Sequence, residues 1–128
     1  MAGYSGTPLP KKLGIKEGST VGIEGPSPHD LDIATSGEAP YDVLLWFVTA
    51  AHDVRNQLSV QATRITMNGG LWVCWPKKAA RKIVASDMTE DVVREVALPL
   101  GLVDNKVCAV DEVWSGLRVV WRKENRVT

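Results

Sequence analysis

The residues best placed to do chemistry are Trp75, Lys77 and Lys78, in the run Trp75-Pro76-Lys77-Lys78 that ends an apolar stretch beginning at Gly69. An indole offers a flat stacking surface, and two ammonium groups beside it suit a phosphate or a carboxylate. Pro76 fixes its own φ and removes a backbone donor, so the strand stops there and the lysines leave in a set direction. The opening segment contributes Thr7, Lys11 and Lys12, set among Pro8, Pro10 and Gly14. Folded over the sheet edge, this segment brings Lys11 or Lys12 to the same anion. The competing expectation is a structural cap on the first strand. For Trp75 and the lysine pair the plainer alternative is a core indole followed by solvated charges.

Other chemistry is sparse. Lys77, Lys78, Arg81 and Lys82 form a basic run, but Trp75 is its only aromatic neighbour, and Asp87, Glu90 and Asp91 follow closely. Nucleic-acid binding by stacking needs aromatic residues interleaved with such charges, so it is disfavoured. His29 and His52 lack a serine, cysteine or carboxylate partner in a triad arrangement. Asp42 reads as a loop tether, and Asp111 and Ser115 as turn formers. Asp104 and Lys106 read as an exposed pair. Cys74 and Cys108 lie in apolar strand patterns without metal spacing, and read as buried thiols. No metal and no cofactor are expected.

The elements that must position these residues are those of a βαβ unit with a closing hairpin. Thr20 to Glu24 reads as a short strand, followed by a proline-rich stretch, Gly25 to Pro40, in which Leu31 to Thr35 forms at most another short strand. The continuous apolar run Val43 to Val48 suits a strand covered on both faces. Ala51, Val54, Leu58, Ala62 and Ile65 recur at helical spacing and lay one stripe against a sheet. Asn68-Gly69-Gly70 then reads as the turn into a strand from Leu71 to Trp75. Asp87 or Thr89 caps a second helix, with Val92, Val93, Val96, Ala97 and Leu100 as its buried stripe and Gly101 as its stop. Lys106 to Val110 and Leu117 to Lys123 close the chain as an antiparallel hairpin.

The whole of 1–128 is expected to be a single α/β domain, with 1–19 an extended cap segment and 20–128 the core. Fifteen acidic and fifteen basic residues cancel, so the molecule has no long-range pull toward nucleic acid or an anionic membrane. No apolar run reaches the ~20 residues of a transmembrane helix. The first residues lack the pattern of a secretory signal, and the expected location is the cytoplasm.

Several motifs bear a family resemblance. Leu13-Gly-Ile-Lys-Glu-Gly18, Tyr41-Asp-Val-Leu-Leu45 and Asn68-Gly-Gly-Leu-Trp-Val73 are similar to successive landmarks of class I S-adenosylmethionine methyltransferases. More specifically, Gly3-Tyr-Ser-Gly-Thr-Pro-Leu-Pro-Lys-Lys-Leu-Gly-Ile-Lys16, Trp75-Pro-Lys-Lys78, Thr89-Glu-Asp-Val-Val-Arg94 and Gly101-Leu-Val-Asp-Asn-Lys-Val-Cys-Ala109 resemble a small bacterial family of unknown function. The resemblance implies a three-layer, Rossmann-like (methyltransferase-like), mostly parallel sheet with an abbreviated N-terminal half.

The residues argue against methyl transfer itself. A nucleotide-type cofactor needs backbone donors in the turn after the first strand, and here Pro26 and Pro28 remove two. Only sixteen residues, Gly25 to Pro40, separate the first two long strands, where a full βαβ unit takes about 30 or more. The expectation is a non-catalytic binding or regulatory module for a small anion or a protein partner. The alternatives are a reduced methyltransferase or other group-transfer enzyme, and an assembly subunit anchored by Trp46, Trp72 or Trp121.

Overall fold

The computed structural model describes residues 7–126. Its centre is a mixed five-stranded sheet: β1 (Val21–Glu24), β2 (Tyr41–Phe47), β3 (Ile65–Pro76), β4 (Leu102–Ala109) and β5 (Trp114–Trp121), in the spatial order β1-β2-β3-β5-β4. The first three strands are parallel, with Val21, Val43 and Gly70 in one row. β5 runs antiparallel to both β3 and β4, as a hairpin connection requires.

Helix α2 (Ala51–Ala62) makes the crossover from β2 to β3, and α3 (Glu90–Ala97) precedes β4. Ala51, Val54, Leu58 and Ala62 of α2, with Val92, Val93 and Ala97 of α3, join Leu44, Trp46, Leu71, Val73 and Trp75 in one core. The starts of these two helices are fixed by polar side chains. Thr89 Oγ1 accepts the Val92 N–H at 3.2 Å, so Thr89 is the cap of α3. Asp87 serves α2 instead, accepting the Ala51 N–H at 2.8 Å.

The other face of the sheet is covered differently, and here the expected third layer is corrected. Among the described residues the opening segment supplies on that side a single helical turn, α1 (Leu9–Lys12). Leu13 is fully buried against Val21, Val43, Leu45, Phe47, Trp72 and Cys74, and Leu9, Ile15, Leu31 and Ile33 pack around it. The connection from β1 to β2 has no room for a crossover helix, so irregular chain does the covering. The polar atoms of that chain need side-chain partners: Trp72 Nε1 donates to Leu13 O at 3.0 Å, far along the sequence.

Further differences from the sequence reading have physical causes. Leu31 to Thr35 forms no strand; the only pairing there is the isolated bridge Val21–Ser36. β3 starts at Ile65, because Ile65 pairs with Tyr41 rather than extending α2. Asn68-Gly69-Gly70 therefore lies inside a strand. A Cβ at Gly69 would come within 2.8 Å of Asp42 O, so close backbone approach, not a turn, requires glycine there. β4 and β5 both begin earlier than their apolar runs suggest, at Leu102 and Trp114. Trp46 and Trp72 are buried, which removes them as interface anchors; Trp121 is half-buried.

Candidate functional site

The expected site lies at the carboxyl end of β3, and the structure distributes its residues over several roles. Trp75 is 6% exposed and belongs to the helix-side core, so its faces are taken up by packing rather than offered for stacking. Lys77 follows on the opposite side of Pro76 and ties down the β4–β5 turn. Its Nζ donates to Asp111 O at 2.7 Å and its backbone N–H to Val113 O at 2.8 Å. Lys78 is exposed and opens a short 3-10 turn, Lys78–Ala80.

Lys12 reaches the last residue of β4, next to the same turn, donating from Nζ to Ala109 O at 3.1 Å. Lys11 and Thr7 are exposed. Thus the fold brings Lys12 and Lys77 to one hairpin, two residues apart in their acceptors, but engages both on backbone carbonyls. Ser5 of the opening motif lies outside the described residues.

What Lys77 builds is the wall of a cleft. Asp111 Oδ1 accepts the Val113 and Trp114 N–H groups at 2.8 and 2.7 Å, the side-chain turn its type suggests. The turn so fixed presents Asp111, Glu112, Val113 and Trp114 to an open cleft of about 510 Å³ that Pro28, Asp30 and Val84 also line. Its charged lining is acidic. The sequence reading passed over Asp30 and Glu112; no local pattern joins positions so far apart.

A second, smaller cleft of about 260 Å³ lies at the carboxyl ends of β1 and β2, lined by Glu24, Pro26, Phe47, Thr49, Asp53 and Gln57. The buried ring of Phe47 meets that of Trp114 edge to face, with centroids 5.1 Å apart, so one aromatic pair stands between the two clefts. Glu24 is paired with Arg64. Gly25 has φ +86°, and a Cβ there would collide with Phe47 O. The turn after β1 is thus pressed against the neighbouring strand, and among the described residues no helix follows it. An S-adenosylmethionine-type cofactor needs free backbone donors at this turn, and the residues present do not fit it.

Both thiols are inert by placement. Cys74 and Cys108 are each in register with Gly116, on strands either side of β5. Two strand spacings put their Cα atoms about 9–10 Å apart, beyond the reach of a disulfide. Burial raises the pKa of Cys74, with Cys108 and Asp111 adding to the effect. Burial also raises that of Cys108, against the opposing charges of Lys12 and Lys106. Asp42 is a tether as expected, accepting the Thr20 N–H at 3.0 Å. Asp104 does not pair with Lys106; it holds Arg94 Nε at 3.1 Å, and Arg94 also binds Glu90, so both carboxylates keep that guanidinium charged. Among the described residues no cluster of three metal-ligating side chains occurs, and no helix is long and apolar enough to cross a membrane.

A family model described as "Protein of unknown function (DUF3052)" matches residues 12–123. No curated protein matches the sequence. Among solved structures, the chain is similar to magnesium protoporphyrin IX methyltransferase from Synechocystis PCC 6803, a structure with bound SAH. The TM-score is 0.51 at 13% identity, over 68% of this chain and 47% of that one. It also matches ribosomal protein L11 methylase from Lactobacillus delbrueckii subsp. bulgaricus at a TM-score of 0.44 and 7% identity, over 64% and 37% of the two chains. The chain therefore spans less than half the length of either, and at such identity the first likeness concerns the fold alone.

Proposed function

We propose that this chain, which belongs to the DUF3052 family of proteins of unknown function, is a non-catalytic binding module on an abbreviated Rossmann-like, methyltransferase-like scaffold. Its ligand enters the cleft at the carboxyl end of β3, where ligands of open α/β sheets gather. One observation carries this reading. Lys77 fastens the β4–β5 turn so that Asp111, Glu112 and Trp114 face Asp30 across a cleft of about 510 Å³. A pocket of that size lies within the range of small-ligand sites.

The chemistry of the lining revises the expected ligand class. Lys12 and Lys77 spend ammonium donors on carbonyls, and the charges that line the cleft are carboxylates. The favoured occupant at this edge is a group rich in donors, an amine or the lysine side chain of a protein partner, rather than an anion. Lys78, the exposed last residue of the motif, stands outside the lining.

Spermidine is a suitable probe, followed through the backbone amide resonances of residues 111–114. The expected result is a saturable shift that disappears in Asp30→Asn with Glu112→Gln, two exposed positions whose exchange leaves the fold intact. Equal shifts in the double variant, or none in the wild type, would sink the assignment.

A second reading, a reduced methyltransferase or other group-transfer enzyme, draws support from the fold likeness and from the cleft at the ends of β1 and β2. Calorimetry with S-adenosylmethionine at millimolar concentration separates the two. No heat is expected, because the turn at Gly25 lacks the backbone donors; a saturable heat would favour the enzyme.

A further inference from the structure

We propose that the sheet face opposite the helices carries a second site, for a small oxyanion of phosphate or carboxylate type, gripped by the guanidinium of Arg118 with the ammonium of Lys106 beside it. Arg118 sits in the middle of β5, between Trp72 of β3 and Lys106 of β4 in register. It is half-buried. Its plane lies against Gly70: a Cβ at that position would stand 2.7 Å from Cζ and 2.8 Å from one Nη. Gly70 therefore makes the floor on which the guanidinium rests, and any larger residue would lift it away.

Most arginines of the chain are engaged: Arg81 donates to Met88 O and Arg126 to Trp121 O, and only Arg122, like Arg118, has no side-chain partner among the described residues. Arg55 holds Glu95, Arg64 holds Glu24, and Arg94 holds Glu90, Asp91 and Asp104. Arg118 has neither a hydrogen-bond nor an ion-pair partner among the described residues. The rows beside it supply none. Val103 and Val120 lie on one side, and Cys74, Gly116 and Cys108 on the other. The guanidinium is half-buried and has no protein acceptor among the described residues, and a fork of N–H groups is matched by two oxygens of one anion. Burial, and after it the charge of Arg126, lower the Arg118 pKa from its ordinary value, the behaviour of a cation short of a counter-charge.

This face suits an anion better than the cleft at the strand exits, whose charged lining is acidic. Lys12 and Lys77 are engaged on carbonyls at those exits, whereas Arg118 lies four residues along β5 from Trp114, on the face that the opening segment partly covers. Lys106 is exposed at the sheet edge, open to solvent for entry of a small ion.

The test follows the Arg118 Nε–Hε resonance of the full chain in parallel titrations with inorganic phosphate, acetate and, at matched ionic strength, sodium chloride. A saturable shift with phosphate identifies a phosphoryl ligand, and one with acetate a carboxylate. Arg118→Lys keeps the charge but loses the fork, and is expected to weaken capture about tenfold, read from the amide resonances of residues 117–120. Gly70→Ala keeps the arginine but lifts it from its floor and should weaken capture as strongly. Should that variant fail to fold, Lys106→Gln at the exposed edge is expected to weaken binding severalfold. A response no larger than that to chloride, or one unchanged in Arg118→Lys, overturns the proposal.

Discussion

The two faces of the sheet are buried by unlike means. On one face α2 and α3 lay periodic apolar stripes across Leu44, Trp46, Leu71 and Val73, and the helices satisfy their own backbones internally. On the other, residues 9–15 and 31–33 cover Leu45, Phe47 and Trp72 almost without regular structure, and are fastened by long-range hydrogen bonds from Trp72 and Lys12. The lesson is that a short connection need not leave a sheet face bare. Irregular chain can replace a helical layer when buried side chains and specific donors hold it. Such a cover also leaves clefts at its margins, and both clefts at the strand exits border it.

The sharpest way to break this comparison is to truncate one anchor on each side. Leu13 and Leu58 are both fully buried. Leu13→Ala and Leu58→Ala are each expected to cost about 2–5 kcal/mol in urea denaturation. A cost at Leu13 no greater than the ±0.5 kcal/mol or so of a surface substitution would make the opening segment dispensable. The next effect concerns the motif lysines. Lys77→Ala removes the tie to Asp111 O and is expected to destabilise by roughly 0.5–1.5 kcal/mol. Lys78→Ala, at an exposed position, should stay within about 0.5 kcal/mol of wild type. Equal effects from the two would refute the division of roles between them.

The smallest effect is electrostatic and belongs to the segment-covered face alone. The Cys74 and Cys108 pKa values are raised by burial, so the folded chain retains protons that the unfolded chain releases. Stability is full below the ordinary thiol value of 9.0 and falls as pH climbs above it toward the raised folded values. Denaturation midpoints measured on either side of that value should show the fall, and Cys74→Ser should reduce its size. A midpoint that rises through this range contradicts the buried placement of the thiols.

Much of the fold was legible because it rests on local physics. The apolar run Val43 to Val48 falls where its pattern places it, as do the stripes of α2 to Ala62 and of α3 to Ala97. Leu100, read as the end of the α3 stripe, lies past the helix and is exposed. Thr89 caps α3 as its side chain allows. Misreadings cluster where a partner distant in sequence intervenes. Gly69 and Gly70 resemble a turn, yet one is glycine because Asp42 O approaches and the other because Arg118 lies on it. Of the candidate site, the Trp75-Pro76-Lys77-Lys78 motif lies at the carboxyl end of β3, where Lys77 is tied to Asp111 O, a partner no local pattern announces.

Residue order alone marked the apolar run of β2 and the positions of α2 and α3, since propensity, capping and apolar spacing act within a few residues. It also settled that the chain between β1 and β2 is too short for a full crossover unit. Only the tertiary structure decided which charges are free. Lys12, Lys77 and Arg118 are similar as sequence, each a cation beside apolar neighbours. Two find backbone carbonyls on a distant hairpin and one finds a bare glycine. Whether a cation has donors to spare depends on which acceptors the fold brings within about 3 Å, and those come from strands that the sequence keeps far apart.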